Sequence, residues 1–127
     1  MRDGQRSRVL LIVDDLGVVW PARHALEGAG YEVRWHGDAK AALNALDGFA
    51  PELVIVDVML PGGGGWTVVD TIRALPEEER PKLLVISEAV GFEQTSRIEG
   101  LGATAVISRP FEVDQLVAQV ARALSLG

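Results

Sequence analysis

Four short apolar runs in this chain each end at polar side chains, and this repetition is the feature that most constrains the fold. The runs cover residues 9–13, 53–56, 83–86 and 105–107. The polar residues that follow them are Asp14 and Asp15, Asp57, Ser87, and finally Ser108 and Arg109. Stretches of helical periodicity separate the runs, which indicates βα units and a parallel sheet buried on both faces. Ligands of such sheets bind outside the carboxyl ends of the strands, so we expect these residues to form one shared site.

The same pattern predicts the order of strands and helices along the chain. We expect strands at 8–14, 31–35, 52–57, 82–87 and 104–107, and helices at 17–29, 38–47, 65–75, 92–100 and 112–125. Asp38 is expected to cap the second helix and Gly48 to end it. Pro21 predicts that the first helix either starts late or bends there. A polar run at 93–97 predicts a marginal, mobile fourth helix.

Length and composition favour one folded domain over residues 1–127. The chain is 48% hydrophobic and 24% charged, the balance of a compact globular domain. Its net charge of -6, without a basic patch, argues against direct binding of nucleic acid. It has no cysteine, which excludes disulfides, thiol nucleophiles and cysteine-ligated metals. No apolar stretch is long enough to cross a membrane or to form a signal peptide, so we expect a cytoplasmic protein without membrane insertion.

The acids at the ends of the first and third predicted strands suit a divalent cation. Asp14, Asp15 and Asp57 supply carboxylate oxygens, and Mg²⁺ takes one or two such ligands while it keeps several waters. A carboxylate beside a metal can also attack a phosphoryl group, and we assign that role to Asp57. Ser87 offers a hydroxyl and Arg109 a guanidinium fork, and both groups suit phosphate oxygens.

Together these residues resemble the response-regulator receiver domains of two-component signalling. The motifs that carry the resemblance are Asp14-Asp15, the segment Val-Asp57-Val-Met-Leu-Pro61 followed by Gly65, then Ser87, and Arg109-Pro110-Phe111. The resemblance covers nearly the whole chain. It implies a flavodoxin-like, doubly wound α/β fold with a five-stranded parallel sheet in the order 2-1-3-4-5 and five helices. In that order the first and third strands are neighbours, which brings the three acids together.

The resemblance also implies a role for each residue. Asp57 would accept a phosphoryl group, in a Mg²⁺-dependent reaction, from a phosphohistidine on a sensor histidine kinase or a phosphotransfer protein. The ligands of Mg²⁺, or of another divalent cation, would be Asp14, Asp15, Asp57 and the backbone carbonyl of Met59. Ser87 and Arg109 would contact the phosphate, and the bond before Pro110 would be cis. The domain would switch the binding of an unknown downstream protein, and its only catalysis would be phosphoryl transfer to itself and autodephosphorylation.

Three positions depart from the family pattern. Arg109 stands where the family has lysine, and its planar group is not interchangeable with an ammonium. Glu88 adds a fourth carboxylate where the family usually has a small residue, so we expect it to repel phosphate and to pair with Arg109. Val106 stands where the family often has an aromatic residue whose rotation reports phosphorylation. We therefore hypothesise that the pocket binds metal but couples phosphorylation weakly, or not at all, to the surface around the fourth helix and fifth strand.

Other functions stay open at this level. The runner-up is a divergent receiver that acts as a phosphorylation-independent interaction module, which the three departures favour. A flavodoxin-like flavin carrier shares the topology, but Asp14 and Asp15 place negative charge where a phosphate would bind. A phosphatase with an Asp-x-Asp motif would need an acid where Met59 stands. Because the chain ends just after its last predicted helix, we expect a single-domain regulator or a fragment of a longer protein.

The remaining prominent residues have structural interpretations. The glycines at 62–65 are not followed by Lys-Ser or Lys-Thr, so they predict a loop rather than a phosphate-binding motif. His24 and His36 have no second ligand at metal spacing and are expected to be solvated. The side chains expected to pack in the core or at its rim are Trp20, Trp35 and Trp66. An exposed Trp20 would instead be a candidate interface anchor.

Overall fold

The computed structural model describes residues 6–88 and 105–125, in which the chain forms five β-strands and four α-helices. The strands are β1 (Arg8–Ile12), β2 (Glu32–His36), β3 (Leu53–Asp57), β4 (Lys82–Glu88) and β5 (Ala105–Arg109). The helices are α1 (Leu16–Gly28), α2 (Ala39–Phe49), α3 (Gly64–Arg73) and α4 (Val113–Ser125), with 3₁₀ turns at Pro61–Gly63 and Glu77–Glu79. The helix expected at 92–100 lies outside the described residues, so the count of five helices stays a prediction.

All five strands are parallel and follow the order β2-β1-β3-β4-β5. This is the predicted order, and it confirms the α/β sheet of the flavodoxin-like receiver fold. Strands β1 and β3 pair from Val9 with Leu53 to Ile12 with Val56. The segment that follows β1 therefore leaves the sheet beside the last residue of β3, which is Asp57.

Helices cover both faces of the sheet. Side chains alternate between the faces along each strand, so Leu11 and Ile55 pack with the α1 and α4 side, whereas Leu10 and Val54 pack with the α2 and α3 side. Every residue of β3 is buried. Because its alternation places Asp57 on the same face as Ile55, the carboxylate belongs to the α1 and α4 side.

Two helix boundaries that were argued from particular residues lie elsewhere in the structure. Helix α1 begins at Leu16 and contains Pro21, so the late start is wrong. Helix α2 continues past Gly48 to Phe49, and the predicted end is also wrong. The ring of Phe49 is buried in the core, and its packing holds the last turn, so the left-handed residue that ends the helix is Ala50, with φ 49°.

The glycines after β3 form the connection into α3. Gly62 and Gly63 have φ values of 71° and 75°, a backbone conformation that glycine adopts without strain. Gly65 is required for a different reason, because a Cβ at that position would overlap the carbonyl oxygen of Asp57. The start of α3 therefore packs directly against the end of β3.

Candidate functional site

The residues that the sequence singles out lie along the carboxyl edge of the sheet. Asp14 and Asp15 follow β1, Asp57 ends β3, Ser87 is the penultimate residue of β4, and Arg109 ends β5. Because these strands are parallel and adjacent in the order β1-β3-β4-β5, the five residues share one edge. The structure therefore places them where a parallel α/β sheet binds its ligands.

The carboxylate of Asp57 is buried and both of its oxygens have protein partners. The residue is 1% exposed. Its Oδ1 accepts a hydrogen bond of 2.8 Å from the backbone N–H of Met59. Its Oδ2 accepts a hydrogen bond from Nη2 of Arg109, with which it forms an ion pair. The carboxylate is thus held between a backbone amide and a guanidinium.

Arg109 reaches Asp57 across the intervening strand β4. Neighbouring strands lie about 4.8 Å apart, so β3 and β5 are separated by about 10 Å, a distance that only a long side chain spans. The two side chains share a sheet face, since Asp57 pairs with Ile86 and Arg109 pairs with Glu88, two residues further along β4. Nη1 of Arg109 also lies 4.0 Å from Oδ2 of Asp15. One guanidinium therefore contacts carboxylates from two strand ends, and we call these two contacts the Arg109 bridge.

The pKa of Asp57 is raised above its ordinary value of 3.8. Burial is the largest cause, because removal from water disfavours the charged carboxylate. The negative charge of Asp14 raises the pKa further, whereas the Met59 N–H and the Arg109 guanidinium lower it. Asp14 is thus close enough to act on Asp57. The lowering of the Asp57 pKa by the Met59 N–H and by Arg109 does not fully offset the rise caused by burial.

Ser87 is the second buried polar residue of the site. Among residues 6–88 and 105–125, the buried polar or charged side chains are those of Asp57 and Ser87. Ser87 follows Ile86, the residue of β4 that lies opposite Asp57. Ser87 therefore lies at the same edge of the sheet as Asp57, one residue beyond the position opposite it.

Asp15 acts both as a helix cap and as a member of the site. Its Oδ1 accepts a hydrogen bond of 2.9 Å from the backbone N–H of Gly17, which caps α1. Its other oxygen, Oδ2, faces Arg109. The helix cap and the contact with Arg109 are therefore compatible, because each uses a different oxygen of one carboxylate.

The chemistry of this donor set fits Mg²⁺, which prefers carboxylate oxygens. Within the part of the chain that the structure describes, however, three or more acidic or histidine side chains are nowhere gathered closely enough to hold a metal ion. In this arrangement the neighbour of Asp57 and Asp15 is a protein cation, because Arg109 contacts both of them. Asp14 is exposed and carries no such contact with Arg109 among the described residues.

Two backbone contacts at the site were missed by sequence reasoning. Met59 donates its N–H to Asp57, whereas the resemblance pointed to its carbonyl. Nε1 of Trp35 donates to the carbonyl oxygen of Val13 at 2.6 Å and so ties the end of β1 to the neighbouring strand β2. The contact of the Met59 N–H could not be predicted, because every residue but proline has a backbone N–H. The contact of Trp35 could have been anticipated from the position of this tryptophan at the end of a strand.

Glu88 and Val106, two of the departures, both lie on the surface. Glu88 is exposed and is not among the ion-pair partners of Arg109, which within the described residues are Asp57 and Asp15. The expected pairing of Glu88 with Arg109 is therefore wrong. Arg109 points instead toward the more buried carboxylate, where its charge is least screened by water. Val106 is 41% exposed.

The loop after β5 carries a cis peptide bond between Arg109 and Pro110, the form that the resemblance implies. Phe111 follows and packs against the core, as does Val18 of α1. A groove of about 270 Å³ lies between this loop and the start of α1, and Asp15 and Arg109 contribute to its lining.

The histidines and tryptophans behave differently from one another. His24 is exposed, as expected, but His36 is half-buried, and its Nε2 is buried without a hydrogen-bond partner in the described structure. Trp35 and Trp66 pack against the two cores, as predicted. Trp20 is 58% exposed, so it is the candidate interface anchor that the sequence offered as the alternative.

Among the described helices, none is both long enough and apolar enough to cross a membrane.

Comparison with known families decides to which family this fold belongs. The family model of the response regulator receiver domain matches residues 9–121. The chain belongs to this family. The assignment confirms the resemblance stated on the sequence motifs, and it leaves the flavin carrier and the phosphatase without support.

This receiver domain is similar to regions of larger regulators. It is 31% identical over 118 residues to the DNA-binding response regulator MtrA of Mycobacterium bovis, a match that covers 93% of this chain and 50% of the relative. It is 33% identical over 123 residues to the transcriptional activator protein IrlR of Burkholderia pseudomallei, covering 94% and 51%. The chain thus spans about half the length of these relatives.

Solved receiver structures share the fold closely. The non-phosphorylated HemR receiver domain of Leptospira biflexa superposes with a TM-score of 0.85 at 29% identity and covers 96% of this chain and 97% of that one. A response regulator from Thermotoga maritima gives a TM-score of 0.79 at 26% identity, with 95% and 99% covered. The receiver domain described here therefore has the ordinary architecture of this family of signalling modules.

Proposed function

We propose that this receiver domain accepts a phosphoryl group on Asp57 in a Mg²⁺-dependent reaction and that phosphorylation switches its binding to a partner protein. The observation that carries the proposal is the buried carboxylate of Asp57 at the end of β3, beside the cation of Arg109 and the hydroxyl-bearing end of β4. A carboxylate in this setting is a competent nucleophile toward phosphorus. Its raised pKa also marks it as a functional group rather than a surface acid.

The two carboxylate oxygens of Asp57 have different contacts and therefore different proposed roles. The Met59 N–H holds Oδ1, so the carboxylate keeps one orientation. Oδ2 is the oxygen that attacks the phosphorus of a phosphohistidine on a sensor histidine kinase or phosphotransfer protein. The new O–P bond forms as the P–N bond breaks, and the electron pair of that bond stays on the imidazole nitrogen. The product is an aspartyl phosphate and an unmodified histidine.

The other residues act on the charge of the transferred group. Arg109 contacts Oδ2 in the resting domain and, once that oxygen is esterified, its guanidinium pairs with the phosphoryl oxygens. Ser87 supplies a hydroxyl donor from the neighbouring strand. Asp14, Asp15, Asp57 and the Met59 carbonyl are the residues that would hold Mg²⁺, which supplies neutralisation of the charge on the transferring phosphoryl group.

The proposed partners are proteins. The phosphodonor is a sensor histidine kinase or a phosphotransfer protein, and the output is a downstream protein that recognises the phosphorylated domain. The net charge of -6 argues against direct contact of this domain with nucleic acid. We further propose that residues 1–127 form a single receiver domain, that its only catalysis is transfer to itself and autodephosphorylation, and that it works in the cytoplasm.

Phosphorylation by a small donor tests the proposal. The protein is incubated with acetyl phosphate and Mg²⁺, and the intact mass is measured. We expect the addition of one phosphoryl group in the wild type and none in the Asp57→Asn variant. Addition that persists in the variant, or no addition to a wild type that binds Mg²⁺, would contradict the assignment of Asp57.

A second function is favoured by the Arg109 bridge and by Val106. The bridge neutralises Asp57 without phosphate, and valine has no aromatic ring whose rotation could report phosphorylation. These features suit a divergent receiver that binds its partner independently of phosphorylation. Amide NMR with Mg²⁺ and a beryllofluoride phosphate mimic separates the two functions. Shifts confined to the pocket favour the interaction module, whereas large shifts in the segment between β4 and β5 favour the phosphorylation switch.

A further inference from the structure

The guanidinium of Arg109 lies between two carboxylates of the pocket. It contacts Asp57 with Nη2 and approaches Asp15 with Nη1, so one planar group serves two carboxylates. Asp14 adds a third negative charge that acts on Asp57. A cation is needed here because the Asp57 carboxylate is almost fully removed from water, where an uncompensated charge is unfavourable.

The bridge depends on arginine rather than on positive charge in general. A guanidinium presents its terminal nitrogens in a rigid fork, whereas the ammonium of lysine is a single compact group. A lysine at position 109 could pair with Asp57 but would not span to Asp15 in the same fixed geometry. The bridge is also incomplete, because Nε of Arg109 is buried without a hydrogen-bond partner among the described residues. Release of the side chain would return that nitrogen to water.

We propose that Arg109 is an internal counter-cation that competes with a divalent metal for the carboxylates of Asp57 and Asp15 and so sets the metal affinity of the pocket. This inference deepens the proposed function, since it rests on the same pocket binding a divalent cation. In the resting domain the guanidinium pairs with Asp57 and approaches Asp15, so it offsets part of their negative charge. A metal held by these carboxylates would bring a second positive charge close to the guanidinium, and the two cations would repel each other. Arg109 therefore has to move away from the carboxylates as the metal binds, and it can then pair with the phosphoryl oxygens after transfer.

Direct metal titration of the full chain tests the proposal, with MgCl₂ and MnCl₂ followed by isothermal titration calorimetry. The variants are Arg109→Met, which removes the cation, and Arg109→Lys, which keeps the charge but not the fork. Arg73→Met is the matched control, because it removes one positive charge from the exposed last turn of α3, away from the strand ends. Amide NMR spectra of each variant without metal establish that it is folded.

The expected order of metal affinity is Arg109→Met above Arg109→Lys above wild type, with Arg73→Met equal to wild type. The gain in Arg109→Met should be roughly tenfold to a hundredfold, the range for loss of a unit charge a few ångströms from a metal in a partly exposed site. Affinities of both Arg109 variants that are equal to or weaker than wild type would overturn the proposal. If Arg109→Met does not fold, Arg109→Lys decides alone.

Failure of this inference and failure of the proposed function give different results. Tighter metal binding in the Arg109 variants, together with no phosphorylation of the wild type by acetyl phosphate, would support the counter-cation and reject the phosphoacceptor. Phosphorylation of Asp57 with metal affinity unchanged by Arg109 substitution would reject the counter-cation alone. Absence of metal binding in the wild type and in all variants would reject both.

Discussion

Arg109, the last residue of β5, donates a hydrogen bond to the carboxylate of Asp57, the last residue of β3, across the strand that separates them. The contact joins the proposed phosphoacceptor to the loop that leads into α4. It depends on the parallel register, which puts both side chains on one face of the sheet at the same edge. In the resting pocket a protein cation therefore offsets the charge of Asp57, and access to Asp57 is coupled to the position of Arg109.

The raised pKa of Asp57 predicts how stability changes with pH. The folded protein holds the Asp57 proton to a higher pH than the unfolded chain, whose ordinary value is 3.8. As pH rises from 3.8 through the folded pKa, the wild type should therefore lose stability relative to Asp57→Asn, and the difference should stay constant above that range. Urea unfolding of both proteins across a pH series measures it. A wild type that gains stability over the variant in this range would mean that Arg109 outweighs burial.

The close packing of α3 on β3 predicts a strong effect at Gly65. A Cβ there would overlap the carbonyl oxygen of Asp57, so Gly65→Ala should lower the free energy of unfolding by about 3 kcal/mol. Gly48→Ala is the matched control, because that helical glycine has no atom within 4 Å of its added Cβ. The control should gain about 0.5–1 kcal/mol from helix propensity. Equal unfolding midpoints in urea for the two variants would contradict the packing described here.

The double role of Asp15 predicts that its two functions can be separated. Asp15→Ser should keep the α1 cap within about 0.5 kcal/mol of the wild type, whereas Asp15→Ala should lower the free energy of unfolding by about 1 kcal/mol. Both variants lose the contact with Arg109. Asp38→Ala removes the corresponding cap of α2, which packs on the opposite face of the sheet from α1, and should cost about the same as Asp15→Ala.

Thermal unfolding and the chemical shift of the Asp57 side chain measure these two effects. The Asp57 signal should move in both Asp15 variants and stay unchanged in Asp38→Ala. Unchanged signals in all three would show that Asp15 serves only as a cap.

The contrast between two tryptophans gives a prediction about stability. Trp35→Phe removes the hydrogen bond to the carbonyl of Val13 and should lower the free energy of unfolding by about 1 kcal/mol. Trp20→Ala changes a side chain that is largely in solvent and should change it by less than about 0.5 kcal/mol. Chemical denaturation of both variants checks the order. If Trp20→Ala were the more damaging, the ring would be a folding element and not a candidate interface anchor.

Much of this architecture could be read from local pattern. Runs of buried residues and helical spacing identified the five strands, because parallel strands that are covered on both faces must be apolar along their length. The order of the strands in the sheet came from the family resemblance. Polar residues that interrupt such runs at strand ends have few structural uses, so Asp57 and Ser87 could be recognised as site residues. The end of α2 could not be predicted, since the burial of Phe49 overrides the helix-ending preference of Gly48.

The sequence by itself determined the sheet, the edge where the site lies and the membership of the receiver family, since each is written in periodicity and in short motifs. Only the tertiary structure decided the partners of Arg109. Asp57 and Asp15 stand 52 and 94 positions away from it in the chain, whereas Glu88, the expected partner, faces solvent. The physical reason is that charge pairing depends on burial and on which carboxylates the folded strands bring within reach, and neither is encoded by local sequence.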